Sequence, residues 1–194
     1  MVGPWRRITP PRRPAAVSQT VLTDAVPSDP GAERFTFFWR GPFSNWHPSR
    51  FVVDGIAYSH AEQWMMAEKA RLFGDLDAER RVMQCGNPKG QKTIGRDVKG
   101  FVEEVWQANA KEIVRRGLAA KFSQNEDLLR MLLATEGTTL VEASPYDRIW
   151  GIGLQASDPR AHSRETWLGT NWLGEVLTDL RDAFLLEMRP SARP

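Results

Sequence analysis

Glu62 and Lys69 stand seven residues apart in the stretch Ser59-His60-Ala61-Glu62-Gln63-Trp64-Met65-Met66-Ala67-Glu68-Lys69-Ala70. Seven residues of helix make nearly two turns, so both side chains leave one face about 10 Å apart along the axis. An acid and an amine on one face, beside pliable Met65 and Met66 and flat Trp64, can hold a small planar or sugar-like substrate for acid–base or nucleophilic chemistry. The same residues admit a plainer reading. Ser59-x-x-Glu62 is also a capping box, in which the glutamate reaches back to the helix start, and Lys69 is then an ordinary solvated lysine beside Glu68.

A second constellation is Asp147-Arg148-Ile149-Trp150-Gly151-Ile152-Gly153. It puts a carboxylate, an indole and two glycines just after a predicted strand, where bare backbone can approach a ligand. Its alternative is a turn anchored by a buried tryptophan. The glycines match neither a dinucleotide-binding fingerprint nor a phosphate loop.

The elements that must position these residues follow from periodicity and punctuation. Phe35 to Trp39 is an aromatic run of strand character, and Phe51 to Tyr58 reads as a hairpin turning at Asp54-Gly55, the two forming a small sheet. Helical patterns cover roughly 60–73, 76–85, 88–96, 101–121 and 125–135, separated by Gly74, Gly86-Asn87-Pro88 and Gly100. Thr138 to Ala143 reads as a further strand. Leu173, Val176, Leu177, Leu180 and Phe184 form the apolar stripe of a closing helix that runs to Met188. The expected class is α+β, a predominantly helical single domain with a small β-sheet.

Composition sets the outer bounds. The 194 residues, 41% hydrophobic and 26% charged, suit one globular domain over 34–188. Six of the 13 prolines lie in residues 1–33, whose composition buries no core and reads as a disordered or loosely attached tail. Residues 189–194 form a second tail. A net charge of +2 is too balanced to argue nucleic-acid binding by itself. The single cysteine, Cys85, leaves no internal disulfide or cysteine-based metal cluster, and His47, His60 and His162 show no metal-ligand spacing. With no apolar run of membrane-spanning length and no signal-like N-terminus, a cytoplasmic protein is expected.

Six motifs taken in order carry a resemblance: Gly41-Pro42-Phe43-Ser44-Asn45-Trp46-His47-Pro48; Ala61 to Ala70; Ile94-Gly95-Arg96; Trp106; Asp147 with Trp150-Gly151-Ile152-Gly153; and Trp167 to Gly174 with Arg181. From Phe35 to Leu186 the chain resembles the NADAR family, also called YbiA-like. The resemblance implies an N-glycosidase without metal or redox cofactor, one that cleaves the bond between a ribose anomeric carbon and an amine nitrogen. Family substrates are ribosylamino-pyrimidine phosphates of riboflavin synthesis or ADP-ribose attached to guanine bases. By position, Glu62, Trp106 and Asp147 match active-site residues, Lys69 a lysine that attacks the anomeric carbon, and Asn45, Arg96 and Trp150 pocket residues. Gly151 is grouped with that pocket.

Trp46 and Trp172 replace residues more often phenylalanine or tyrosine and leucine in the family, and both are expected to be packing changes. The Leu154 to Thr166 insert resembles the longer subgroup. Its Arg160, His162 and Arg164 add basic groups that can meet a phosphate backbone, against the alternative of ordinary solvated charges. Removal of ADP-ribose from guanine in nucleic acid is therefore the expected activity, a riboflavin-type phosphoribosylamine the alternative substrate, and a noncatalytic ADP-ribose-binding module the alternative class. Nothing in the sequence indicates a protein partner.

Overall fold

The structure, a computed structural model, describes residues 33–188; both expected tails lie outside the described residues, apart from Glu33. Six helices dominate it: α1 (Ala61–Leu72), α2 (Leu76–Gln84), α3 (Pro88–Arg96), α4 (Glu103–Ser123), α5 (Glu126–Leu133) and α6 (Trp172–Met188). Each falls within a few residues of its sequence expectation. Asp75 and Asn87 explain two of the starts, since their side chains accept the backbone N–H of Ala78 and Gly90 as N-caps of α2 and α3. Among the described residues no helix is long and apolar enough to cross a membrane.

The strands differ from expectation in their pairing. β1 (Phe35–Phe38) does not join the hairpin formed by β2 (Phe51–Val53) and β3 (Ile56–Tyr58). It runs parallel to β4 (Thr139–Glu142), with Phe35 opposite Thr139 and Phe38 opposite Glu142. The described residues thus form two two-stranded sheets. The hairpin turns as expected, Asp54 and Gly55 both taking positive φ, of 50° and 79°, as a tight two-residue turn requires.

The centre of the fold is α1, packed by α2, α3 and α4. It is buried nearly all round, from Ala61 to Ala67 and again at Ala70, including the polar Glu62 and Gln63. Small Ala61, Ala67 and Ala70 let the neighbours close on it, and Trp64 fixes the register by donating its indole N–H to the Ile113 carbonyl of α4 at 2.7 Å. A stripe of α6 completes the main core, with Leu173, Val176, Leu177 and Leu180 buried and Phe184 packed against them. Arg181 runs back from α6 to bond the carbonyls of Thr135 and Thr138.

One consequence is a stability prediction at Gly117 of α4. A Cβ there meets Trp64 Cδ1 at 2.2 Å, and Trp64 is itself held edge-on against Tyr58. Alanine gains about 1 kcal/mol of helix propensity over glycine, but overpacking a rigid core costs about 1–3 kcal/mol or more. Gly117→Ala is therefore expected to lower the urea midpoint; an unchanged or raised midpoint refutes the tight α1–α4 contact.

Candidate active site

The burial of α1 determines what Glu62 can do. The helix starts at His60 with no side-chain cap, so the Ser59–Glu62 capping box does not form. Gln63 does that work one position later: its Oε1 accepts the Ser59 N–H at 2.9 Å and the Ser59 hydroxyl at 3.0 Å. Glu62 is left facing inward. Its Oε2 accepts the Trp46 indole N–H at 3.2 Å, while its Oε1 is buried without a hydrogen-bond partner. Trp46, expected as a packing change, is thus a direct ligand of this carboxylate.

The loop that brings Trp46 is tied down from beneath. Lys121, fully buried on α4, donates to the carbonyls of Pro42 at 2.7 Å and Ser44 at 3.0 Å. The Asn45 carbonyl in turn accepts the Glu62 N–H at 3.0 Å. The Asn45 Oδ1, like Glu62 Oε1, is buried and unpartnered.

Two more acids and two cations surround Glu62. Asp147 folds its Oδ1 back onto the N–H groups of Ile149 and Trp150 and turns its Oδ2 to Lys92 Nζ at 3.4 Å. Glu142, the last residue of β4, keeps its Oε2 buried and unpartnered. Lys92 and Arg96, one turn apart on α3, supply the positive field. Burial pushes the Glu62 carboxyl up to about 7, with Asp147 adding to the rise and Lys92, the Trp46 hydrogen bond and Arg96 opposing it. Burial raises Glu142 to about 8, helped by Asp147 and Glu62 and opposed by Lys92. Both carboxyls hold protons near neutral pH, the condition a general acid needs. The unpartnered oxygens of Asn45, Glu62 and Glu142 suit a ligand whose hydroxyl or amine groups can both donate and accept.

The structure therefore brings together Asn45, Glu62, Arg96 and Asp147. Lys69 and Trp106 form a neighbouring group two turns along α1. The Lys69 ammonium lies 4.0 Å over the Phe101 ring and 5.5 Å from that of Trp106. Burial holds its pKa below the usual lysine value, against the upward pull of Glu103. Between the groups Met66 sits against Gly95 of α3, where a Cβ meets its sulfur at 2.0 Å.

The glycine loop corrects the expectation of open backbone. A Cβ on Gly151 meets the Glu142 carbonyl oxygen at 2.8 Å and that of Asp147 at 3.0 Å, so the close approach is to the protein's own chain. Trp150 packs edge-on against Trp172, which is a packing residue as expected. The insert departs from expectation as well. Arg160 grips Asp158 through two hydrogen bonds of 3.0 and 2.8 Å, Arg164 grips Glu33 through two of 2.7 Å, and His162 stands edge-on to Phe37. Arginines held by carboxylates in this way offer little to a phosphate backbone.

Glu142 and Lys92 carry no motif that marks them in the sequence. Lys92 and Arg96 are four apart, which places both on one face of α3, and Glu142 is a charged residue closing a strand in front of the Asp147 loop. Both signals are readable only once β4 and α3 are known to bring Glu142 and Lys92 within electrostatic reach of Glu62.

Comparison with known proteins supplies the family and the fold. A family profile described as the NADAR domain matches residues 37–185. The chain is 43% identical to "N-glycosidase R617" of Acanthamoeba polyphaga mimivirus over 145 residues, covering 72% of this chain and 85% of that one. It is 30% identical to "N-glycosidase YbiA" of Escherichia coli over 147 residues, covering 76% and 83%. The solution structure of the E. coli protein YbiA superposes with a TM-score of 0.68 at 26% identity, covering 84% of this chain and 91% of that one. A 31% match covers 78% of this chain but 25% of "Riboflavin biosynthesis protein PYRR, chloroplastic" of Zea mays.

Proposed function

Because the chain belongs to the NADAR family, we propose that it is an N-glycosidase hydrolysing the bond between a ribose anomeric carbon and an amine or base nitrogen, with ADP-ribose on a guanine base of nucleic acid as substrate. The observation that carries the reaction class is Glu62, a fully buried carboxyl whose pKa is pushed up to about 7 and whose Oε1 has no partner. A protonated acid in that position supplies the proton that lets a base nitrogen depart. Lys92 and Arg96 balance the negative charge that builds when it does so, and both suit a substrate carrying phosphate. Asp147 orients Lys92 and anchors the loop. Lys69, desolvated against Phe101 and Trp106, is the amine available to the anomeric carbon.

The choice of a guanine-linked substrate rests on the family resemblance and the length of the insert, since Arg160 and Arg164 are held by Asp158 and Glu33. The similarity to the maize protein favours a second reading, a ribosylamino-pyrimidine phosphate. The test offers an oligonucleotide bearing ADP-ribosyl guanine and the small pyrimidine side by side. Faster release of ADP-ribose is expected, and Arg160→Ala with Arg164→Ala should leave its rate within about two-fold, because those guanidiniums are already paired. Turnover of the small pyrimidine alone removes the nucleic-acid substrate; turnover of neither removes the N-glycosidase.

A further inference from the structure

Trp39 and Tyr146 lie at the same end of the parallel strand pair as the acids. Trp39 follows β1, whose last residue is opposite Glu142, and Tyr146 immediately precedes Asp147. Their rings meet at 5.9 Å between centroids, inclined by 45°. Yet Tyr146 is 86% exposed and Trp39 41% exposed, so most of this aromatic pair faces solvent. Large aromatics held in a fixed relation at the rim of a site, with little of the core to gain from them, mark a contact surface.

Two exposed arginines lie beside the pair, next to Asp147, whose charge is met by Lys92. The Arg40 guanidinium lies 5.4 Å from the Trp39 ring centroid, and Arg148 is exposed one residue beyond Asp147. Neither has a carboxylate partner among the described residues, unlike Arg160 and Arg164. Exposed π-faces with unpaired guanidiniums beside them are the combination that binds single-stranded nucleic acid: a base stacks on the aromatic and the adjoining phosphate meets the cation. An apolar protein segment has no use for Arg40 and Arg148, and an acidic one has no use for the rings.

We propose that Trp39 and Tyr146 form a stacking ledge for a nucleobase next to the scissile one in a single-stranded nucleic-acid substrate, with Arg40 on the neighbouring phosphate. This rests on the N-glycosidase reading for the position of the scissile base. The ledge selects a polymeric substrate over a free nucleoside and takes no part in the bond cleavage.

The test uses an unmodified, fluorescein-labelled single-stranded octanucleotide, its binding followed by anisotropy. Trp39→Ala with Tyr146→Ala is expected to weaken binding by about ten-fold or more, while the double phenylalanine variant stays within about three-fold, since stacking needs a ring and not its polar atom. Turnover of ADP-ribosylated guanosine as a free nucleoside should be unchanged in both variants. No octanucleotide binding by the wild type, or equal binding by the alanine variant, overturns the ledge while nucleoside turnover leaves the N-glycosidase standing. Ring-dependent binding without turnover of any ribosylated substrate supports the ledge and removes the enzyme reading instead. Self-association of the wild type that the alanine variant abolishes, without octanucleotide binding, overturns the proposal in favour of a second copy of the chain.

Discussion

Glu62→Gln should cost at least about two orders of magnitude in kcat while leaving the protein more stable than wild type at pH 8. The first effect follows from the proposed role: glutamine keeps an oxygen for the Trp46 N–H but has no proton to deliver, and positioned general acids contribute typically 10²- to 10⁴-fold. The second follows from linkage. The folded-state pKa of Glu62, about 7, lies above its ordinary value of 4.5, so the native state binds more protons than the unfolded chain between those pH values. Stability from this group is fully present below about 4.5 and is lost as pH rises through about 7, at a cost of roughly 3 kcal/mol once the buried carboxylate is ionised. Glutamine carries no such charge. The variant should therefore match wild type in melting temperature near pH 4.5 and exceed it at pH 8, and wild-type kcat/KM should fall above pH 7 as the acid deprotonates.

Calorimetry at the two pH values and a pH–rate profile separate the possible results. Normal turnover of Glu62→Gln at an unchanged melting temperature sinks the acid role. A variant that is inactive because it has unfolded is recognised by its melting curve. Should the alkaline limb survive in Glu62→Gln with most of the rate, the proton comes from Glu142, whose pKa of about 8 makes it the other acid protonated near neutrality.

How far the sequence foretold this site depends on the distance over which each feature is decided. Helix starts at Asp75 and Asn87, the Asp54-Gly55 turn and the apolar stripe of α6 are set within a few residues, and each was legible. The pairing of Phe35–Phe38 with Thr139–Glu142 joins segments a hundred residues apart, and β4 is further held by α6, which comes later still in the chain. Local propensity carries no record of that. The reading of Glu62 was open for a related cause. Ser59-x-x-Glu62 is a good capping box by pattern, but a helix buried on nearly every side has Gln63 equally placed to reach back, and tertiary packing gave the cap to the amide and the interior to the acid. The insert arginines looked free because Asp158 is a loop neighbour of ordinary appearance and Glu33 lies more than 130 residues from Arg164.

Lys69→Arg should lower turnover by about two orders of magnitude with little loss of stability, and it should abolish a covalent adduct that borohydride traps on the wild type. Arginine keeps the positive charge and stacks on aromatic rings at least as well as lysine, so the contacts with Phe101 and Trp106 survive. What it lacks is a neutral amine. Burial lowers the Lys69 pKa, which raises the fraction of free amine at neutral pH. In the proposed route Nζ bonds to the anomeric carbon as the bond from that carbon to the base nitrogen breaks, and the base leaves with a proton from Glu62. Opening of the ribose ring gives an imine to Lys69. Water then adds to the imine carbon, returning the amine and releasing the sugar; borohydride intercepts the imine as a stable secondary amine. Mass spectrometry of the reduced wild type should find the sugar on Lys69, and the arginine variant should show none. Wild-type turnover in Lys69→Arg, together with no adduct on the wild-type lysine, confines Lys69 to stacking on Phe101 and Trp106 and leaves a water molecule as the nucleophile at the anomeric carbon.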